Sequence, residues 1–350
     1  MPLLPWRLGR RRQIEKAHGC EFRVLAPVPA LVRILRRRPA ASFGAAAVLF
    51  LLAGSLLSGQ FAQQTVSGLA SGGIYASLAV AIVLIYRATQ VINFAQGGMA
   101  MFTTYIAWEL MQQGYGRWGA YLLAIVIAFA GGVLLERTVL RPVENAPAVT
   151  TVIVTIGLLV TFNGLAGWIW SAQIRPFRGP FPTRPIHVGG VAFSLQDLGT
   201  IAVALGAVTA LWALFRFTQI GLALRAAASQ PAAARLVGIR VGWMLALGWG
   251  LAAALGAVSG ILVAPVVFLQ PNMMDAILIY AFAAAVLGGI DSPLGAVVGG
   301  LTLGVVLNLL GTYVHAATAE LRLPIALALL LVVLLVKPSG LFGRAAVRKV

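Results

Sequence analysis

Apolar windows long enough to cross a bilayer recur along this chain, and they restrict its fold more than any other feature. A helix needs roughly 17–25 apolar residues to traverse the hydrocarbon. Ten such windows can be drawn, at 40–59, 65–87, 92–112, 119–137, 148–171, 197–217, 242–264, 274–290, 293–312 and 322–337. The eighth is short and shares Gly288, Gly289 and Pro293 with the start of the ninth, so the pair reads either as two spans or as a re-entrant element. Hydrophobic residues form 60% of the chain and charged residues 10%, with mean hydropathy +0.93, a balance that a water-soluble domain could hardly bury. The expectation is an all-α polytopic membrane protein with about ten transmembrane helices and a transmembrane domain over 40–344.

The formal charge of +17 would suggest nucleic acid in a soluble chain. Here the arginines fall between apolar windows, where they set orientation, so no nucleic-acid partner is expected. Residues 1–39 carry ten of the 26 basic residues and read as an uncleaved cytoplasmic tail, or as the result of a misassigned start codon. With the N-terminus inside, the cytoplasmic side also receives Arg87, Arg137, Arg141, Arg216, Arg225, Arg235, Arg240 and Lys337, besides the basic C-terminal residues, including those of the 345–350 tail. The other side receives only Arg117, Arg175, Arg178, Arg184 and Arg322. Both termini are therefore expected in the cytoplasm, and 218–241 with them.

Little in the sequence points to chemistry. The three lysines, Lys16, Lys337 and Lys349, stand outside any Gly-Lys-Ser/Thr phosphate loop, so no ATPase site is expected. Cys20 is the single cysteine, and His18, His187 and His315 form no ligand pair, so neither a metal site nor a cofactor is expected. The carboxylates outside the tail fall at span ends or in loops, which argues against an ion-coupled relay. Asn93, Gln96 and Asn308 are scarce amides among apolar residues and read either as interhelical hydrogen-bonding groups or as a lining of the substrate pathway. Gly68 with Gly72, and Gly295, Gly299, Gly300 and Gly304, read as close helix-packing positions.

The stretch TQIGLALRAAASQPAAARLVGIRV lies between two apolar windows. Leucine, arginine and alanine favour helix, Ser229-Gln230-Pro231 breaks and restarts it, and Gly238 supplies a stop. Two short helices at a bend are expected, with a small-residue face suited to docking against a partner protein. Residues 172–196, with four prolines and three glycines, read as the longest external loop.

Several spaced motifs carry a family resemblance. The hairpin holds Thr218, Gly221, Arg225 and Ala226, then Ala234, Gly238 and Ile239, and resembles the coupling loop of permeases of branched-chain amino acid ABC importers. GLASGGIYASLAVAIVLIYRATQVINFAQGGMAMF at 68–102, ERTVLRPVENAP with TIGL at 136–158, LGGIDSPLGAVVGGLTLGV at 287–305 and KPSGLFGR at 337–344 look like the same family's signatures. The resemblance runs from about residue 60 to the end. Gln96 stands where the family often has histidine, and Lys337 where it often has arginine.

The resemblance implies a permease subunit in the inner membrane that moves branched-chain or related amino acids, with relatives also associated with urea, amides and small organic acids. It implies two ATPase subunits, a second related permease subunit and an extracytoplasmic solute-binding protein. ATPase coupling would fall to Thr218, Gly221, Leu222, Arg225, Ala226, Arg235, Gly238 and Ile239, with Gly221 and Ala226 allowing close approach and Arg225 and Arg235 pairing with carboxylates of the partner. An ion-coupled secondary transporter is the alternative from another class.

Overall fold

The computed structural model describes residues 59–144, 146–188, 191–314, 321–337 and 340–343. The expected basic tails at 1–39 and 345–350, and the window at 40–59 up to residue 58, lie outside the described residues. The helices are α1 (Gly59–Thr89), α2 (Ala95–Gln112), α3 (Arg117–Leu135), α4 (Ala148–Trp170), α5 (Leu195–Phe217), α6 (Gln219–Ser229), α7 (Pro231–Leu236), α8 (Val241–Val267), α9 (Asp275–Gly288), α10 (Pro293–Tyr313) and α11 (Arg322–Val336).

Six of them are long and apolar enough to cross a membrane: α1, α3 with its continuation to Val143, α4, α5, α8 and α10. The windows at 274–290 and 322–337 became α9 and α11, apolar but only 14 and 15 residues long. At 1.5 Å per residue each covers a little over 20 Å. The window at 92–112 became the 18-residue α2, which carries buried Gln96, Thr103 and Thr104. The nine expected spans that fall among the described residues thus resolve into six full-length apolar helices and three shorter or more polar ones.

Exposure follows the pattern of a lipid-facing molecule. On α4, Val149 is 68% exposed and Trp168 82% exposed, and α3 likewise turns Leu122, Val126 and Leu134 outward. In water such apolar faces would be aggregation sites, whereas hydrocarbon or a second membrane subunit covers them without cost. The interior is built on α1 and α8. Leu78, Ile82 and Ile85 of α1 and Leu262 of α8 are fully buried, and the Ser77 and Ser259 hydroxyls meet at 2.7 Å between the two helices.

Small residues set the helix spacing, because apolar area alone drives little helix association in lipid. Gly68 and Gly72 of α1 lie against Gly300, Gly304 and Val305 of α10, so closely that a Cβ on Gly304 would stand 2.3 Å from the Gly72 nitrogen. Gly288 of α9 meets Gly295 of α10 in the same way. That contact closes α9 and α10 into a tight pair across the four residues between them.

Two features depart from the expectation of an all-α chain with a plain outer loop. Residues Pro185–Val188 and Val191–Ser194 pair as an antiparallel ribbon, β1 and β2, in register Pro185↔Ser194 to Val188↔Val191. Gly189-Gly190 between valines is a two-residue hairpin signal that the expectation of a loop did not use. Second, α3 runs into a π turn at Glu136–Leu140 and a 3₁₀ turn at Arg141–Val143.

Candidate functional site

The hairpin forms where the sequence places it. Thr218 caps α6: its Oγ1 accepts from the Gly221 N–H at 3.0 Å while donating to the Leu214 carbonyl at 2.6 Å. A Cβ on Gly221 would lie 2.3 Å from the Leu214 oxygen, so the Thr-x-x-Gly spacing folds α6 sharply back on the last turn of α5. Pro231 opens α7 at a position that needs no N–H. Gly238 ends it at φ 83°, with Gly238 N–H donating to the Arg235 carbonyl and Ile239 N–H to that of Ala234. Those two bonds form a Schellman cap, and Ile239 packs inward with Ala234 as that motif requires.

The expected coupling residues therefore divide. Gly221 is buried inside the corner, against its own chain, and Ile239 and Ala226 pack on the small cluster of Ala227, Ala234, Val241 and Leu245 beneath the hairpin. Thr218 and Gly238 are exposed capping residues. Facing outward are Leu222, Arg225, Arg235 and Leu236, the last 90% exposed. The close approach expected of Gly221 toward a partner is taken up by α5, which leaves the outer leucines and arginines as the free surface.

Asn93 and Gln96 come together. Asn93 Oδ1 accepts from the Ala95 N–H at 3.0 Å, its Nδ2 donates to Gln96 Oε1 at 3.3 Å, and Gln96 Nε2 donates to the Ala252 carbonyl at 2.8 Å. Both residues are buried. The chain of bonds ties the start of α2 to the middle of α8, and Gly256 leaves room for the amide, since a Cβ there would sit 2.5 Å from Gln96 Nε2.

Asn308 stands elsewhere. Its Nδ2 donates to the Gln64 carbonyl at 2.6 Å and to Gln64 Oε1 at 2.9 Å, and it borders a cavity of about 370 Å³ between α1, α8, α9, α10 and α11. Tyr75, Tyr280 and Arg322 share that cavity. Sequence reading missed the first two because tyrosines scattered in apolar windows carry no spacing signal, and took Arg322 only as an orientation marker.

A second cavity, of about 590 Å³, is bordered by Trp108, Gln112, Tyr115, Arg117, Arg175 and Arg178. Arg175 is pinned there: its backbone exchanges hydrogen bonds with Leu269, its Nη2 donates to the Trp170 carbonyl at 2.7 Å, and its guanidinium lies 4.5 Å from the Trp108 ring centroid. No group of three or more histidine, cysteine or acidic residues able to hold a metal occurs among the described residues.

The family described as branched-chain amino acid transport system / permease component matches residues 64–334. The high-affinity branched-chain amino acid transport system permease protein LivH of Salmonella typhimurium is 32% identical over 305 residues, 83% of this chain and 98% of that protein. BraD of Pseudomonas aeruginosa, named as a permease protein of the same kind of system, is 30% identical over 304 residues, again 83% of this chain and 98% of the relative. Among solved structures, PsaBC from Streptococcus pneumoniae in complex with Fab aligns with 81% of this chain and 94% of that one, at TM-score 0.44 and 14% identity. With the family match and the six apolar helices together, the chain is a multi-pass protein of the bacterial inner membrane and belongs to the family of permease components of branched-chain amino acid transport systems.

Proposed function

We propose that this chain is the permease subunit through which an ATP-driven importer carries branched-chain amino acids inward. The observation that carries the reading is the hairpin of α6 and α7: its inner side is locked to α5 and α8, while its outer side presents leucines and arginines to a partner. Energy enters there from a pair of ATPase subunits. The apolar contacts of Leu222 and Leu236 supply binding energy, and Arg225 and Arg235 pair with carboxylates.

The basic-residue bias favours ten spans with both termini and the hairpin in the cytoplasm. That arrangement puts the arginine-lined cavity outside, where it suits an acidic surface of a solute-binding protein. The exposed apolar faces of α4 and α3 suit lipid and a second permease subunit.

Co-expression with two ATPase subunits, a second permease and a binding protein, followed by reconstitution, tests the reading. Leucine uptake that requires the binding protein and stops when the ATPase is inactivated is expected. Uptake that continues with inactive ATPase, or the absence of any aliphatic amino acid uptake, overturns it.

A further inference from the structure

The 370 Å³ cavity beside Asn308 falls within the roughly 300–1,000 Å³ of small-ligand sites. Its chemistry is uneven in a way that selects among ligands. Among the described residues that border it, Arg322 is the one cation and none is acidic. Arg322 makes no salt bridge with a carboxylate among the described residues, and it lies against α10 where Gly311 leaves space, a Cβ at that position being 3.2 Å from Nη2. Arg322 is exposed, so its guanidinium stands at the cavity's rim, where, with no carboxylate partner among the described residues, it attracts a carboxylate and can bind both of its oxygens.

Acceptors border the same cavity. The amide of Asn308 spends its N–H groups on Gln64, which leaves Oδ1 free to accept. Gln270 and Asn272 add two more amides, and α8 ends at the cavity edge with Val266 and Val267. The last four carbonyls of a helix lack intrahelical donors and carry partial negative charge, which favours a cation. The rest of the wall is largely apolar, with Ile74, Val263, Ile277 and Leu307, and with the Tyr75 and Tyr280 rings at 5.2 Å between centroids.

We propose that this cavity is a transit site for an aliphatic α-amino acid zwitterion. The carboxylate pairs with Arg322, the ammonium group rests on Asn308 Oδ1 and the carbonyl end of α8, and the branched side chain lies against the aliphatic wall. The inference rests on the import of branched-chain amino acids proposed above and adds the place and the polarity of recognition within the permease.

The test uses the complete importer in proteoliposomes and a diazirine analogue of leucine, irradiated during turnover, with peptide mapping of the adducts. Adducts on residues 263–280 are expected. Excess leucine should suppress them, and isoamylamine, which lacks the carboxylate, should not. Arg322→Gln should reduce labelling about tenfold, as loss of a charge-assisted pair does, with partial recovery in Arg322→Lys. Ala276→Trp, at an exposed lining position, should block labelling by filling the space; recovery of the ATPase subunits with each variant shows that it has folded. If leucine is taken up but adducts fall elsewhere, or Arg322→Gln labels normally, the cavity is not the site. If the parent importer takes up no aliphatic amino acid, the proposed function fails and this site fails with it.

Discussion

The guanidinium carbon of Arg137 lies 3.4 Å from the centroid of the Trp243 indole ring. Arg137 belongs to the π turn that ends α3, and Trp243 to the first turn of α8, directly after the hairpin. The contact therefore joins the hairpin's exit to a helix outside it. Such pairs contribute about 0.5–2 kcal/mol, more when desolvated. Arg137→Gln should lower the thermal midpoint of the purified permease by a few degrees and reduce uptake per ATP hydrolysed. Trp243→Phe, which keeps a π face, should retain most of both, and Trp243→Ala should not. Equal stability of Arg137→Gln and the parent would show the stacking to be incidental.

Inner and outer residues of the hairpin should fail differently. Gly221→Ala forces a methyl to 2.3 Å from the Leu214 carbonyl, so the corner must open, at about 1–3 kcal/mol. Stability of the isolated permease and recovery of the ATPase should both fall. Leu236→Asp, at a site that is 90% exposed, should leave the permease as stable as before and yet lose the ATPase in co-purification. Retention of the ATPase by Leu236→Asp together with Leu222→Asp would exclude the outer face as the docking surface.

Orientation can be read by cysteine labelling once Cys20→Ser removes the single native thiol. A cysteine at Thr183, in the segment before the β-ribbon, should react with a membrane-impermeant reagent applied to spheroplasts. A cysteine at Ala228, in the hairpin, should react only after lysis. Reaction at Ala228 from outside would reverse the topology that the arginines suggest.

What could be read from the chain alone was what depends on local pattern. Long apolar windows became helices, Thr218-x-x-Gly221 became a capped corner, Gly238 a helix stop, and the glycines at four-residue spacing became helix contacts, because each is specified within a few residues of itself. What could not be read depends on which helices become neighbours. Gly221 reads as open small surface until α5 is known to lie against it. Asn308 and Arg322 belong to two different helices, and Tyr75 comes from a helix more than 200 residues earlier, so their shared cavity has no sequence period. The resemblance to a family stood on motif order, and it is the coarse function, not the placement of Asn93 away from Asn308, that such order carries.

The glycine contact of α1 with α10 should tolerate no side chain. Gly72→Val would put its Cβ 2.8 Å from the Gly300 oxygen and the Leu301 Cα, both backbone atoms that can move only with the whole of α10. Overpacking of this kind costs about 1–3 kcal/mol or more, and assembly in the membrane should drop sharply. Gly206→Val on α5, where an added Cβ meets nothing within 4 Å, is the control and should assemble normally.

The last prediction concerns the amide pair at the start of α2. Gln96 performs two tasks in the interior: Oε1 accepts from Asn93 and Nε2 donates to the Ala252 carbonyl. Gln96→Leu keeps the volume and removes both bonds; the Ala252 carbonyl keeps its bond within α8, but the Asn93 amide N–H is left buried without its partner, at about 1–3 kcal/mol. The permease should become markedly less stable. A neutral imidazole also offers one acceptor and one donor, on its two ring nitrogens. Gln96→His can therefore accept from Asn93 and donate to Ala252 in the space that Gly256 leaves, and it should retain assembly and uptake where Gln96→Leu loses them. Thermal unfolding of the two variants beside the parent separates the cases. If leucine is tolerated as well as histidine, the hydrogen-bonded bridge between α2 and α8 contributes nothing and the packing of the two helices suffices.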